Sequence, residues 1–185
     1  MSSDAPDPAA GYLAETVKEF RKYRSLAERA MAQVADDGLF FRPAPGGGNP
    51  IAIIVKHLGG NLASRWTDFL TTDGEKSWRD RDSEFVLTPD DTWPALRARW
   101  DRGWDALFAS LASLGPADLE RTVTIRGEPH TVIQAAQRAL AHASYHVGQI
   151  VYLCRISTGE SWEWLSVAPG KSGEFLRGML DRHRS

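Results

Sequence analysis

The sequence holds a single cysteine, Cys154. An intramolecular disulfide and any cysteine-rich zinc site are therefore excluded. Whatever chemistry the chain performs must rest on nitrogen and oxygen ligands or on general acids and bases. A strong charge of either sign is also missing: 22 Lys and Arg against 24 Asp and Glu leave a net charge of −2. That removes the basic stripe or basic domain by which a nucleic-acid binder is recognised, and no nucleic-acid partner is expected. No apolar run approaches the roughly 20 residues that span a bilayer, so no membrane partner is expected either. The first residues, Met1 to Pro8, are polar and acidic. They carry neither the basic n-region nor the apolar h-region of a signal peptide. Residues 1–9 read as a disordered leader, and the cytoplasm is the default compartment.

What remains is an ordinary globular composition, with 42% hydrophobic and 25% charged residues in a chain of 185. Residues 10–185 suit one domain with a real core. A helical period runs from about Ala10 to Val34 through Leu13, Val17, Phe20, Arg24, Ala27, Met31 and Val34. Arg24 breaks the apolar seam, and its stem is expected to cover apolar surface while the guanidinium reaches water. After the break at Pro43 to Gly48, Asn49-Pro50 reads as N-cap and first helical residue. A second helix is expected from Pro50 to about Leu70. Gly59 and Gly60 lie in its middle, each costing about 1 kcal/mol against Ala. Close packing or room for a ligand explains such a pair better than propensity does.

Residues 71–90 are polar and irregular, and a connection of this length inside a domain is often functional. A third helix is expected from Thr88-Pro89 or Thr92 to the Gly115-Pro116 stop. A short hairpin or extended loop follows over 121–129, then a fourth helix from near Thr131 to near Thr158-Gly159, and a short tail helix over 173–182. Four long amphipathic helices with short decorations predict an all-α four-helix bundle, with a long crossover loop and a small hairpin before helix 4. Most of the seven tryptophans are expected in the core.

The chemistry-bearing stretch is Ala141-His142-Ala143-Ser144-Tyr145-His146. Residues at i and i+4 share one face of a helix, so two imidazoles there can hold one metal ion. The spacing alone equally suits a surface pair or a hydrogen-bonded pair, and no glutamate completes the His-Glu-x-x-His pattern. His57 sits in another apolar segment, well off the centre of that helix's apolar stripe, and we read the three histidines as meeting. Asn61 and Gln149 are the candidates to accept the outer ring N–H groups. His130 and His183 are expected in solvent, Cys154 is expected to be an inert core thiol, and no general base is singled out.

Taken together, Asn49-Pro50, Val55-Lys56-His57-Leu58 and the run from Ala141 to Ile150 resemble the DinB/YfiT-like superfamily. His57 with Asn61, and Trp164-Leu165-Ser166 with Pro169-Gly170-Lys171-Ser172, are similar more specifically to its uncharacterised DUF1572 branch. The resemblance covers almost the whole chain after residue 10. It implies a four-helix bundle, commonly a homodimer, with a divalent metal ion held by His57, His142 and His146. It also implies a metal-dependent enzyme acting on a small-molecule substrate. The reaction would be S-transfer with a low-molecular-weight thiol as co-substrate, or hydrolysis. The alternative is a non-catalytic protein that keeps the metal site and binds a small molecule or a partner. By ligand type the ion could be Zn, Ni, Fe or Mn.

Overall fold

The computed structural model describes residues 7–42 and 48–183. Among them are five α-helices and one two-stranded hairpin: α1 (Pro8–Met31), α2 (Ile51–Trp66), α3 (Trp93–Ser113), β1 (Thr122–Ile125), β2 (Glu128–Thr131), α4 (Val132–Thr158) and α5 (Ser172–Arg182). The expected leader over 1–9 lies outside the described residues up to residue 6. Helix α1 already begins at Pro8, because Asp7 caps it by accepting from the Ala9 N–H at 2.9 Å. An acidic residue before a proline, read as part of the leader, is here a helix start.

Helix α2 is the central element. Every residue from Ile51 to Gly60 is buried, including Lys56 and His57. The expected apolar stripe therefore does not separate a core side from a solvent side, and His57, although well off the centre of that stripe, is buried. The helix starts one residue after Pro50 and stops at Trp66, short of the expected Leu70. Thr67 is extended and Asp68 is left-handed, with φ 47°. The Asp68 carbonyl then accepts from the N–H groups of Thr71 and Thr72, both at 3.0 Å, which reverses the chain. Phe69 still packs on Trp66, ring centroids 4.4 Å apart.

Helix α3 takes the later of its two expected starts, with Thr92 as cap. Helix α4 is closed by a capping box: Thr131 Oγ1 accepts from the Gln134 N–H, and Gln134 Oε1 accepts from the Thr131 N–H. It ends at Gly159, whose φ of 56° suits glycine. The hairpin pairs Thr122 with Thr131 and Ile125 with Glu128 across an Arg126-Gly127 turn. The guanidinium of Arg24 stays partly exposed and is also paired. It bridges α1 to α3 through Asp101 at 2.8 Å and Asp105 at 3.3 Å. Trp66, Trp100 and Trp104 are fully buried, and Trp93 is partly buried against the core.

The two mid-helix glycines of α2 do different work. A Cβ on Gly59 would lie 2.8 Å from the Arg99 carbonyl oxygen, and one on Gly103 would lie 2.4 Å from the Gly59 carbonyl oxygen. Helices α2 and α3 thus cross with their backbones in contact. A Cβ on Gly60 would instead lie 2.2 Å from Oε1 of Glu84, so this glycine leaves space for a carboxylate from the 71–90 segment. We expect Gly103→Ala to lower the unfolding free energy by about 1–3 kcal/mol despite the better helix propensity of alanine. Gly148→Ala on α4 meets no atom within 4 Å and should be neutral or stabilising. Urea denaturation of both variants checks this, and equal effects would contradict the backbone crossing.

Candidate metal centre

His57 comes from the second turn of α2, and His142 and His146 come from the middle of α4. Nε2 of His142 lies 3.3 Å from Nε2 of His57 and 3.2 Å from Nε2 of His146. The candidate ligand nitrogens of all three lie within 4.8 Å of one another. Nitrogens about 2.0–2.1 Å from one ion, at tetrahedral or cis-octahedral angles, sit about 2.8–3.4 Å apart. Two of the three nitrogen pairs have this spacing, and the third is held within 4.8 Å, so the cluster could hold a metal ion.

The outer nitrogens decide which way the lone pairs point. Nδ1 of His57 is 2.9 Å from Glu84 Oε2, and Nδ1 of His146 is 2.8 Å from Gln149 Oε1. Each of these oxygens only accepts, so each Nδ1 carries the hydrogen, and in the neutral imidazole each Nε2 presents a lone pair inward. His142 Nε2 faces both and has at most one proton to offer. Three imidazole nitrogens therefore converge with too few hydrogens to satisfy one another, a shortfall that a shared cation removes. Nδ1 of His142 is buried without a partner among the described residues.

Burial favours the neutral form of the two α4 rings. Burial, with the neighbouring His146 and His57 charges, pushes the His142 pKa down to about 3. Burial also lowers His146, against the raising effect of its bond to Gln149. Neutral imidazole is the form that binds metal.

Of the two expected acceptors, Gln149 takes the role and Asn61 does not. Asn61 lines the adjoining cavity instead, and His57 is oriented by Glu84. Glu84 is completely buried and also accepts from Arg79 Nε at 3.0 Å, Arg79 Nη2 at 2.9 Å and Arg99 Nη2 at 3.2 Å. Burial alone would raise its pKa. The hydrogen bonds from His57 and Arg79, with the Arg79 charge, outweigh that and hold the carboxyl below its usual range. The segment carrying it is tied at both ends. Ser64 Oγ donates to the Gly74 carbonyl at 2.9 Å, and Lys56 Nζ donates to the Val86 carbonyl and to Asp91, each at 2.8 Å. Phe85 covers His57, ring centroids 4.8 Å apart. The length of this segment and the glycine at position 60 were its only signals in the sequence.

The remaining candidates lie apart from the centre. His130, expected in solvent, is largely covered, and its Nδ1 sits 3.0 Å from the Glu128 carbonyl oxygen. His183 is exposed beyond α5. Cys154 is buried and its thiol is pushed up to about 12 by that burial, which leaves it inert. Trp162 and Trp164 lie against α1 and the end of α4, beside Lys22 and Arg155, and line no part of the histidine cavity.

The comparisons with known proteins bear on the chain's family rather than its chemistry. A family model described as "Protein of unknown function (DUF1572)" matches residues 7–171. No curated protein and no solved structure matches the chain.

Gln149→Ala should weaken metal affinity about 10–100-fold with the fold intact, as loss of an orienting partner does. Competition against a chromophoric chelator measures it, and an unchanged affinity would remove Gln149 from the site. In metal-free protein, the folded His142 pKa of about 3 lies below the unfolded 6.5. Its contribution to stability is complete above the unfolded value and is lost as the pH falls toward the folded one. Urea midpoints should therefore drop between about pH 7 and about pH 4, less so in His142→Asn; equal slopes would exclude this source.

Proposed function

For this chain, which belongs to the DUF1572 family, we propose that His57, His142 and His146 bind one divalent metal ion that serves a reaction on a small molecule. The observation that carries the reading is the convergence of three Nε2 atoms, two of them turned inward by acceptors on their outer nitrogens. An all-nitrogen set suits Zn, Ni, Fe or Mn. A bound divalent ion would supply Lewis acidity, lowering the pKa of a thiol or of water near it.

The cavity beside the histidines has no Asp or Glu in its lining, so no carboxylate is placed as a general base. Glu84, which does touch a histidine, is occupied by two arginines. A nucleophile here must need little help to ionise. A thiol, with a free pKa of about 8.5, meets that condition better than water does. We therefore favour thiol-dependent S-transfer with a low-molecular-weight thiol over hydrolysis. The same missing base supports a second reading, a non-catalytic protein that keeps the metal site and binds a small molecule.

The wider reading is that α1 to α4 form the four-helix bundle of the DinB/YfiT-like superfamily, as one cytoplasmic domain. The helix contacts support it: α2 packs on α3 and α4, and α1 packs on α4. Among the described residues no helix is long and apolar enough to cross a membrane. Exposed Tyr145, Tyr152 and Ile156 on α4 support a homodimer.

Elemental analysis of protein purified without an affinity tag or added metal tests the centre. About one equivalent of metal is expected in the native chain and almost none in His146→Ala. No metal in the native chain, with none taken up from added Zn, Ni or Mn, would end the metal reading. If metal is present, thiol consumption against a panel of electrophiles, with ester hydrolysis in parallel, separates transferase from hydrolase. Turnover in neither leaves the binding protein.

A further inference from the structure

The cavity that opens beside the histidines is one-sided in charge. It has a volume of about 280 Å³, and Arg65, Arg81, Arg126 and Arg138 line it together with His57 and His142. In a chain of net charge −2 this is a local excess of positive charge that the surroundings do not neutralise. One carboxylate, Glu75, is shared by Arg126 at 2.7 Å, Arg65 at 3.1 Å and Arg79 at 3.4 Å. Glu84 is taken up by Arg79, Arg99 and His57. Asp73 accepts from the backbone N–H groups of Glu75, Arg126 and Gly127, keeps its charge beside the hairpin turn, and forms no ion pair among the described residues. Arg81 lies over the Phe85 ring, and its one acidic partner among the described residues is Asp82, 3.6 Å away and almost fully exposed. Arg138 has no hydrogen-bond or ion-pair partner among the described residues.

The arrangement is built by the fold. On α2, His57, Asn61 and Arg65 follow at four-residue steps, and on α4 Arg138, His142 and His146 do the same. Each set lies along one face of its helix. The cavity is lined by the C-terminal part of α2 and the N-terminal part of α4, so the two helices run in opposite directions past it. Both stripes then lead from the histidines toward arginine, over about 12 Å on α2 and about 6 Å on α4 at 1.5 Å per residue. Arg126 joins them from the hairpin turn. It is a non-glycine residue held left-handed at φ 59°, in a position where Asp73 accepts from its own N–H at 2.8 Å and that of Gly127 at 2.7 Å. Arg126 and Gly127, the latter at φ 76°, both take the positive φ that a two-residue hairpin turn requires, so the turn fixes where the arginine is presented. Trp66, Phe69 and Ile125 supply an apolar wall between the two ends.

We infer that this cavity binds a small organic oxyanion end-on. Its carboxylate or phosphate meets Arg138 and Arg126, its apolar body lies on Trp66, Phe69 and Ile125, and its other end faces His57 and His142. The volume suits a ligand below drug size. Guanidinium is the group that recognises planar oxyanions through paired N–H donors. The inference names the substrate class of the proposed centre and rests on that reading only for what happens at the histidine end.

Calorimetric titration of the full chain with phenyl phosphate, phenylacetate and neutral phenylacetamide tests it. The native protein should bind at least one of the two anions about tenfold or more tighter than the amide, with affinity falling as salt rises. Tighter binding of phenyl phosphate supports a phosphate ligand, and the reverse supports a carboxylate. Arg138→Ala should weaken the preferred anion about tenfold, while Arg177→Ala on α5 leaves it unchanged. Arg126→Gly, which suits the left-handed backbone, should also weaken it. Elemental analysis should give both cavity variants the native metal content. His146→Ala should keep salt-sensitive anion binding, which separates the arginine end from the metal. Equal binding of acid and amide, or unchanged binding in both arginine variants, would overturn the inference. So would anion binding that vanishes in His146→Ala alone. A native chain without metal that still prefers the anion would refute the metal centre and leave this inference standing.

Discussion

A single buried carboxylate joins the parts of this protein that matter to its site. Glu84 has no exposed surface and accepts from His57, Arg79 and Arg99. An isolated charge in such a place would cost several kcal/mol, and only paired, well-aligned donors make it tolerable. The donors come from α2, from the 71–90 segment and from α3, so the carboxylate couples all three. Its place exists because position 60 has no side chain, and Arg99 is within reach because Gly59 and Gly103 let α2 and α3 touch. Removing the carboxylate would release an imidazole, a loop and two guanidinium groups together.

The same group links structure to chemistry. By accepting from Nδ1 it turns the Nε2 lone pair of His57 toward the other two rings, and Gln149 does this for His146. Burial then keeps His142 and His146 neutral, with a smaller contribution to His142 from the charges of Arg79 and Arg65. Positive charge around the cavity thus serves two ends. It discourages a proton on His142, and it favours an anion in the space beside the histidines.

Much of this was legible in the sequence, and the illegible part has a physical pattern. The long helices announce themselves through period and caps, and the three histidines stand out because each lies in an apolar helix. Glu84 and Arg79 carry no such mark: they reach His57 from an aperiodic segment, through contacts that no local spacing encodes. Periodicity says little about the burial of His57, because α2 is enclosed over its first ten residues and no face of it looks outward there. The end of α2 was set too late because Asp68 adopts a left-handed turn although apolar residues continue to Phe69 and Leu70. The start of α1 was set too late because its cap, Asp7, is also what a solvated leader would contain.

The two stripes that run from histidine to arginine are written in helical turns. One residue inserted between His57 and Arg65 would swing Arg65 by about 100° around α2, away from the cavity, whereas a whole extra turn would return it about 5 Å farther off. The reach of the helical arginines can therefore change only in steps. Arg126 sits on a hairpin tip, where the backbone admits smaller adjustments. Chains built on this plan would keep the helix spacings constant and tune the length of the molecule they accept through the hairpin.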